Sequence, residues 1–249
     1  MNYPKVRILF TVIYYIMKIP IMKRIFYFFL LLSFNNCFSQ FGIINDVDGF
    51  VNGRNSFEKS SNIKDTLKNG FVVYNYGPEG NWINIDYKKN GEQLNGYIYK
   101  DRIKYVSDYT EIPLKTVLDG KAILENGTVK VEITEDKFVE KSHKLEFLKD
   151  YKNILVKIDN SQIFGTDGNI PKNEYKSIKI EINNLIIELP KAALHNLYEP
   201  NLYNSKVYYD QKNDILYISS LNGDGAGGYD TIWIIEKKHY KCRFEAYAF

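Results

Sequence analysis

Apolar and polar residues alternate with a period of two along much of this chain. Val129, Val131 and Ile133 alternate with Lys130 and Glu132, Ile154, Val156 and Ile158 flank Lys157, and Ile178, Ile180 and Ile182 alternate with Lys179 and Glu181. Such a period puts the apolar side chains on one face of a strand, and one-sided strands need a second layer to cover that face. Residues 114–249 are therefore predicted to form an antiparallel β-sandwich or a strongly curved antiparallel sheet. Asn183 and Asn184, between Ile182 and Leu185, predict a tight hairpin because Asn tolerates positive φ. Strands over Ile215 to Ser219 and Thr231 to Ile235 bracket a glycine-rich run, and Tyr240 to Tyr247 closes the chain. One short helix is predicted near 190–198, with Pro190 at its start and Pro200 beyond its end.

The stretch from Gly49 to Ile103 has a different rhythm. Four short β segments are punctuated by Gly, Asn and Ser at intervals of about ten residues, which fits a small closed barrel. In Phe71 to Tyr76 both faces are apolar, so that strand is predicted to be central. In the next segment Ile83 and Ile85 share the core face while Trp82, Asn84 and Asp86 share the other; by the same period Ile98 points inward and Tyr97 and Tyr99 outward. Residues 40–108 are assigned to the barrel, and 109–113, with Thr110 and Pro113, to a linker. The overall expectation is a mainly β protein, a small barrel followed by a sandwich-like domain.

The barrel stretch resembles the bacterial SH3-like domain. The residues that carry the resemblance are Gly49, Asn52 and Arg54; Lys68, Asn69 and Gly70; Gly80 and Trp82; and Gly96, Tyr97 and Ile98. It covers about residues 43–106, roughly a quarter of the chain. Gly53 departs from it, standing where the family has an apolar β-branched residue, and an isolated Gly in a strand often marks a bulge. The resemblance implies a binding module, and in secreted bacterial proteins such a module often accompanies a cell-wall peptidase.

Residues 1–39 read as a leader. Ile25 to Phe34 is an apolar run of about ten residues, preceded by Lys23 and Arg24 and followed by Cys37 and Ser39, which suits signal-peptide cleavage near Ser39/Gln40. A run that short is not expected to span a bilayer, which takes about 20 residues. Met22 is a candidate for the true start. Lipid attachment at Cys37 is disfavoured, because Phe34, Asn35 and Asn36 stand where a lipoprotein signal has small residues. The expected location is secreted or periplasmic.

The leader changes the electrostatic picture. Its Lys5, Arg7, Lys18, Lys23 and Arg24 are balanced by no acidic residue, so the formal charge of +3 becomes −2 once those five positive groups are removed. No basic footprint remains for nucleic acid. With Cys37 gone, Cys242 stands alone and no intramolecular disulfide is available. Alternation from Tyr240 to Ala246 predicts that Cys242 faces the core as an inert thiol.

Catalytic and metal motifs are missing from the sequence. His143, His195 and His239 are scattered singly, with none of the spacings that hold zinc, and no Gly-x-Ser-x-Gly elbow occurs. The run from Asn222 to Asp230 offers oxygen ligands at Asn222, Asp224 and Asp230, but Ala226 stands at a ligand position and no Glu closes it, which argues against a calcium loop. No cofactor or metal is expected.

Two binding surfaces are candidates. The first is an aromatic groove on the barrel made of Tyr74, Tyr76, Trp82, Asn84, Asp86, Tyr97 and Tyr99, although each ring could instead be a packing residue. The second is a loop surface made of Asp167, Asn169, Asp224, Tyr229 and Asp230, predicted to lie at one end of the sandwich. The leading expectation is a non-enzymatic secreted protein whose barrel contacts a cell-wall peptide or glycan, or a protein segment. An interaction or inhibitor role carried by the C-terminal domain is the alternative, and a hydrolase with a spatially assembled site is a third.

Overall fold

The computed structural model describes residues 40–223 and 225–247 and is mainly antiparallel β. The expected leader, residues 1–39, lies outside the described residues. Strands β1 (Gln40–Ile44), β2 (Phe50–Arg54), β3 (Ile63–Lys68), β4 (Val72–Glu79), β5 (Trp82–Lys89), β6 (Glu92–Tyr99) and β7 (Ile103–Tyr105) form a seven-stranded sheet in the order β3-β2-β6-β5-β4-β1-β7. β4 is central, as its two apolar faces predict. The bulge expected from Gly53 is present, between Gly53 and Arg54. One face of the sheet encloses its own core of Ile44, Val51, Leu67, Val73, Ile83 and Ile98. Among the described residues β3 and β7 pair only with β2 and β1, so the sheet is not closed by hydrogen bonds across that seam.

The rest of the chain forms β8 (Thr110–Ile112), β9 (Leu114–Leu118), β10 (Lys121–Glu125), β11 (Val129–Lys137), β12 (Leu145–Leu148), β13 (Tyr151–Ile158), β14 (Ser161–Gln162), β15 (Asn173–Ile182), β16 (Leu185–Glu188), β17 (Ser205–Asp210), β18 (Ile215–Asn222), β19 (Tyr229–Glu236) and β20 (His239–Tyr247). One five-stranded sheet has the order β16-β15-β11-β10-β9 and a second the order β20-β19-β18-β17-β8; β12-β13-β14 is a small third sheet. Alternation in β11 and β15 sends Val131, Ile133, Ile178 and Ile180 into a core shared with Val207, Leu216, Ile218 and Trp233 of the second sheet, which is the sandwich the sequence predicts. The hairpin at Asn183–Asn184 is also as expected, with φ of 50° and 66°.

The second sheet is buried on both faces. Its β19 reads as the nearly unbroken apolar run Ile232 to Ile235, the pattern of a strand covered on two sides. Trp233 and Ile235 face the sandwich core, while Ile232 and Ile234 face Phe41, Ile43 and Tyr74 of the seven-stranded sheet. Three layers result, with β17 to β20 in the middle.

Two expectations change. Residues 109–113 are not a free linker, because Thr110 to Ile112 pairs with Tyr209 to Val207 as the edge strand β8. The helix near 190–198 reduces to one 3-10 turn, Lys191–Ala193. The Ala193 carbonyl there accepts from the Trp233 indole at 2.7 Å and from Arg243 at 2.9 Å, so tertiary bonds take acceptors that a longer helix would use internally.

Candidate functional site

On the outer face of β5 and β6, cross-strand pairing sets Trp82 opposite Tyr99, Asn84 opposite Tyr97 and Asp86 opposite Asn95. The facing expected from alternation is correct, but exposure is not. The Trp82 ring is only 8% exposed and stacks on Tyr99 with centroids 4.1 Å apart. Tyr74 is fully buried against the middle sheet and is no part of a groove. Tyr76 is half-buried and donates to Asp86 at 2.9 Å, and Gln93 donates to the same oxygen at 3.2 Å. Asn84, Asp86, Tyr97 and Tyr99 remain half-buried, and Phe57, which the sequence pattern did not single out, stands edge-on to Tyr97 and 51% exposed.

The loop surface divides in two. Asp167 and Asn169 are exposed and line a cleft of about 670 Å³ together with Phe147, Asn153, Lys172 and the backbone around Ala226. The two loops meet at this cleft. Tyr229 and Asp230 are elsewhere. Tyr229 is fully buried, its hydroxyl donating to the Tyr198 carbonyl at 3.0 Å, and Asp230 faces Tyr74 between the sheets. Asp224 lies outside the described residues.

Close backbone approach explains the glycines that flank this cleft. Gly165 donates to the Gly227 carbonyl at 3.2 Å. A Cβ on Gly165, at φ 114°, would stand 2.2 Å from the Tyr198 carbonyl oxygen, and one on Gly227 would stand 2.4 Å from Thr166. Only glycine permits both contacts, so the rim is held by backbone rather than by mobile side chains. The Thr166 hydroxyl on the cleft wall is buried with no hydrogen-bond partner among the described residues.

Sequence spacing missed a second cleft, of about 340 Å³, into which His143 and His195 both project with Glu174. His143 stacks on Phe138 at 4.5 Å, contacts Asp159 at 2.7 Å through Nδ1 and lies 3.7 Å from Glu174 through Nε2. The backbone N–H of Lys144 and then His143 hold the Asp159 carboxyl below its ordinary pKa, whereas burial raises Glu174. His195 Nε2 contacts Ser161 Oγ at 2.9 Å. Asp159, the nearby acid, is engaged instead by His143 and by the Lys144 N–H. No side chain near either histidine in sequence announces the cluster, since β12 to β16 bring it together only on folding.

Cys242 is exposed rather than in the core. It pairs with Ile234 and keeps the face of Phe244 and Ala246 that alternation predicts, but that face opens there into a cleft, while the bulge between Ile234 and Ile235 sends Tyr240 to the sandwich side. Among the described residues no group of three or more His, Cys, Asp or Glu could hold a metal ion, and no helix is long and apolar enough to cross a membrane. Comparison of the chain with family models, curated proteins and solved structures returns no match.

Proposed function

We propose that this protein is a non-enzymatic binding protein of the envelope or extracellular space, and that it holds a glycan segment in the loop cleft of the sandwich. The observation that carries the reading is the glycine-clamped rim: two loops far apart in sequence are fixed around a cleft lined by two amides, the Asp167 and Glu199 carboxylates, an amine and one aromatic face. Asn153, Asn169 and Asp167 supply donors and acceptors for hydroxyl groups, and Phe147 supplies a flat apolar surface for a sugar face. A rim fixed before binding lowers the ordering cost of capture. The apolar run Ile25 to Phe34 behind Lys23 and Arg24 is the sequence feature that favours this location.

A second reading keeps the SH3-like resemblance in the foreground, with the seven-stranded sheet binding a peptide through Phe57, Tyr97 and Tyr99. The exposed Phe57 ring favours it. Retention of the full chain on purified cell wall separates the two. The cleft reading expects Phe147→Ala and Asn169→Ala each to reduce retention about tenfold, in the range of a lost anchor worth about 1.4 kcal/mol, with Phe57→Ala retained normally. The reverse pattern assigns binding to the sheet, and no retention of the unmodified chain removes the glycan assignment.

A further inference from the structure

A third cleft, of about 360 Å³, opens where the seven-stranded sheet meets the middle sheet. Its floor is hydrocarbon. Val72 comes from β4, Tyr217 from β18, Ile234 from β19 and Phe244 from β20, all from the apolar layer between the sheets. Its rim is cationic, formed by Lys68, Lys88 and Lys241; Arg243 also lines it, but its guanidinium is held by the Ala193 and His195 carbonyls and by Asn196 Oδ1. Lys88 and Arg243 share the single carboxylate of Glu245, and Lys241 reaches Glu236 at 2.6 Å, while Lys68 forms no ion pair among the described residues. Three lysines against the Glu236 carboxylate and a Glu245 carboxylate already paired with Arg243 leave the mouth positive.

We propose that this cleft binds an anionic amphiphile, a single alkyl chain lying on the hydrocarbon floor with its carboxylate among the rim cations. The floor offers mainly apolar contact, because the Tyr217 hydroxyl there is already bonded to Tyr109. A carboxylate at the mouth is drawn by charges that its own acidic neighbours do not neutralise. Cys242 stands on the cleft wall, exposed at one edge but crowded enough that burial raises its thiol pKa, so an occupant covers a titratable, alkylatable atom.

Dodecanoate, kept below its micelle concentration, is the probe, and dodecyltrimethylammonium of equal chain length is the control. Binding to the full chain is measured by calorimetry, and alkylation of Cys242 is mapped by mass spectrometry so that Cys37 is read separately. The expected result is binding of dodecanoate with at least fivefold protection of Cys242, little protection by the cationic amphiphile, and a tenfold or greater loss of affinity in the Lys68→Glu, Lys241→Glu double variant. Both substitutions are at exposed positions and leave the floor intact. Absence of dodecanoate binding, binding that leaves Cys242 equally reactive, equal protection by the cation, or affinity that survives the double variant each overturns the proposal. If Cys242 proves unreactive in the free chain, calorimetry of the double variant decides alone.

Discussion

The Tyr74 hydroxyl donates to the Asp230 carboxylate across 2.5 Å, tying the seven-stranded sheet to the middle sheet inside an otherwise apolar layer. Hydrogen bonds to a charged acceptor contribute about 1.5–3 kcal/mol, and removing the donor leaves the carboxylate desolvated. Tyr74→Phe is expected to lower the unfolding free energy by about 1–3 kcal/mol in urea titrations. A change below about 0.5 kcal/mol would show that the bond does not fasten the layers.

Burial also raises the Asp230 pKa above its ordinary value, against the opposing effect of the Tyr74 bond. A carboxyl with a raised folded pKa binds its proton more readily in the folded state, so its stabilising contribution is present at acid pH and is lost as pH rises through that raised value. Asp230→Asn carries no such proton. The stability of the wild type relative to this variant is therefore expected to fall as pH rises from about 3.8 through the raised folded value, measured by thermal melting at a series of pH values.

Asp46 behaves in the opposite sense. The Asp48 backbone N–H, and then Arg102, hold its carboxylate below the ordinary pKa. Stability from this group is present above the unfolded pKa and is lost as pH falls through the lowered folded value. Asp46→Asn is expected to flatten the acid limb of the stability curve below about pH 4, the ordinary carboxylate range. An unchanged acid limb would place the proton uptake elsewhere.

The rim of the loop cleft provides a contrast between two glycines. An alanine at Gly165 meets the Tyr198 carbonyl and holds φ 114°, whereas at Gly225, with φ 50°, its Cβ meets nothing within 4 Å. Gly165→Ala is expected to cost more than about 2 kcal/mol from strain and overlap, and Gly225→Ala about 1 kcal/mol. Chemical denaturation of the two variants checks the order.

On the seven-stranded sheet, Trp82 is covered where alternation suggests an open ring, and the exposed ring is Phe57. Emptying the space of the covered Trp82 ring is expected to cost about 3–5 kcal/mol, and truncating the exposed Phe57 ring no more than about 0.5 kcal/mol. Melting of Trp82→Ala and Phe57→Ala decides. If Trp82→Ala melts like the wild type, the ring is a surface group after all.

Alternation with a period of two was enough to place Val131, Ile133, Ile178 and Ile180 on a core face, to put Trp82 opposite Ile83, and to set the hairpin at Asn183–Asn184. These properties depend on the backbone of a few adjacent residues, and a one-residue slip would invert them. What covers a face depends on residues far away in sequence. Tyr74 looked like a groove residue because nothing near it in the chain shows that β19 will lie against it, and Tyr229 looked like a loop contact for the same reason. Cys242 keeps the face that alternation predicts and is exposed because that face opens there into a cleft, which is set by the neighbouring sheet. The meeting of His143 with His195 is equally a product of the assembled sheets. The chain alone determined the strands, the side each residue faces and the glycines that its loops require; only the packing of three layers decided which of those faces stayed open to a ligand, because burial is a property of the partner surface.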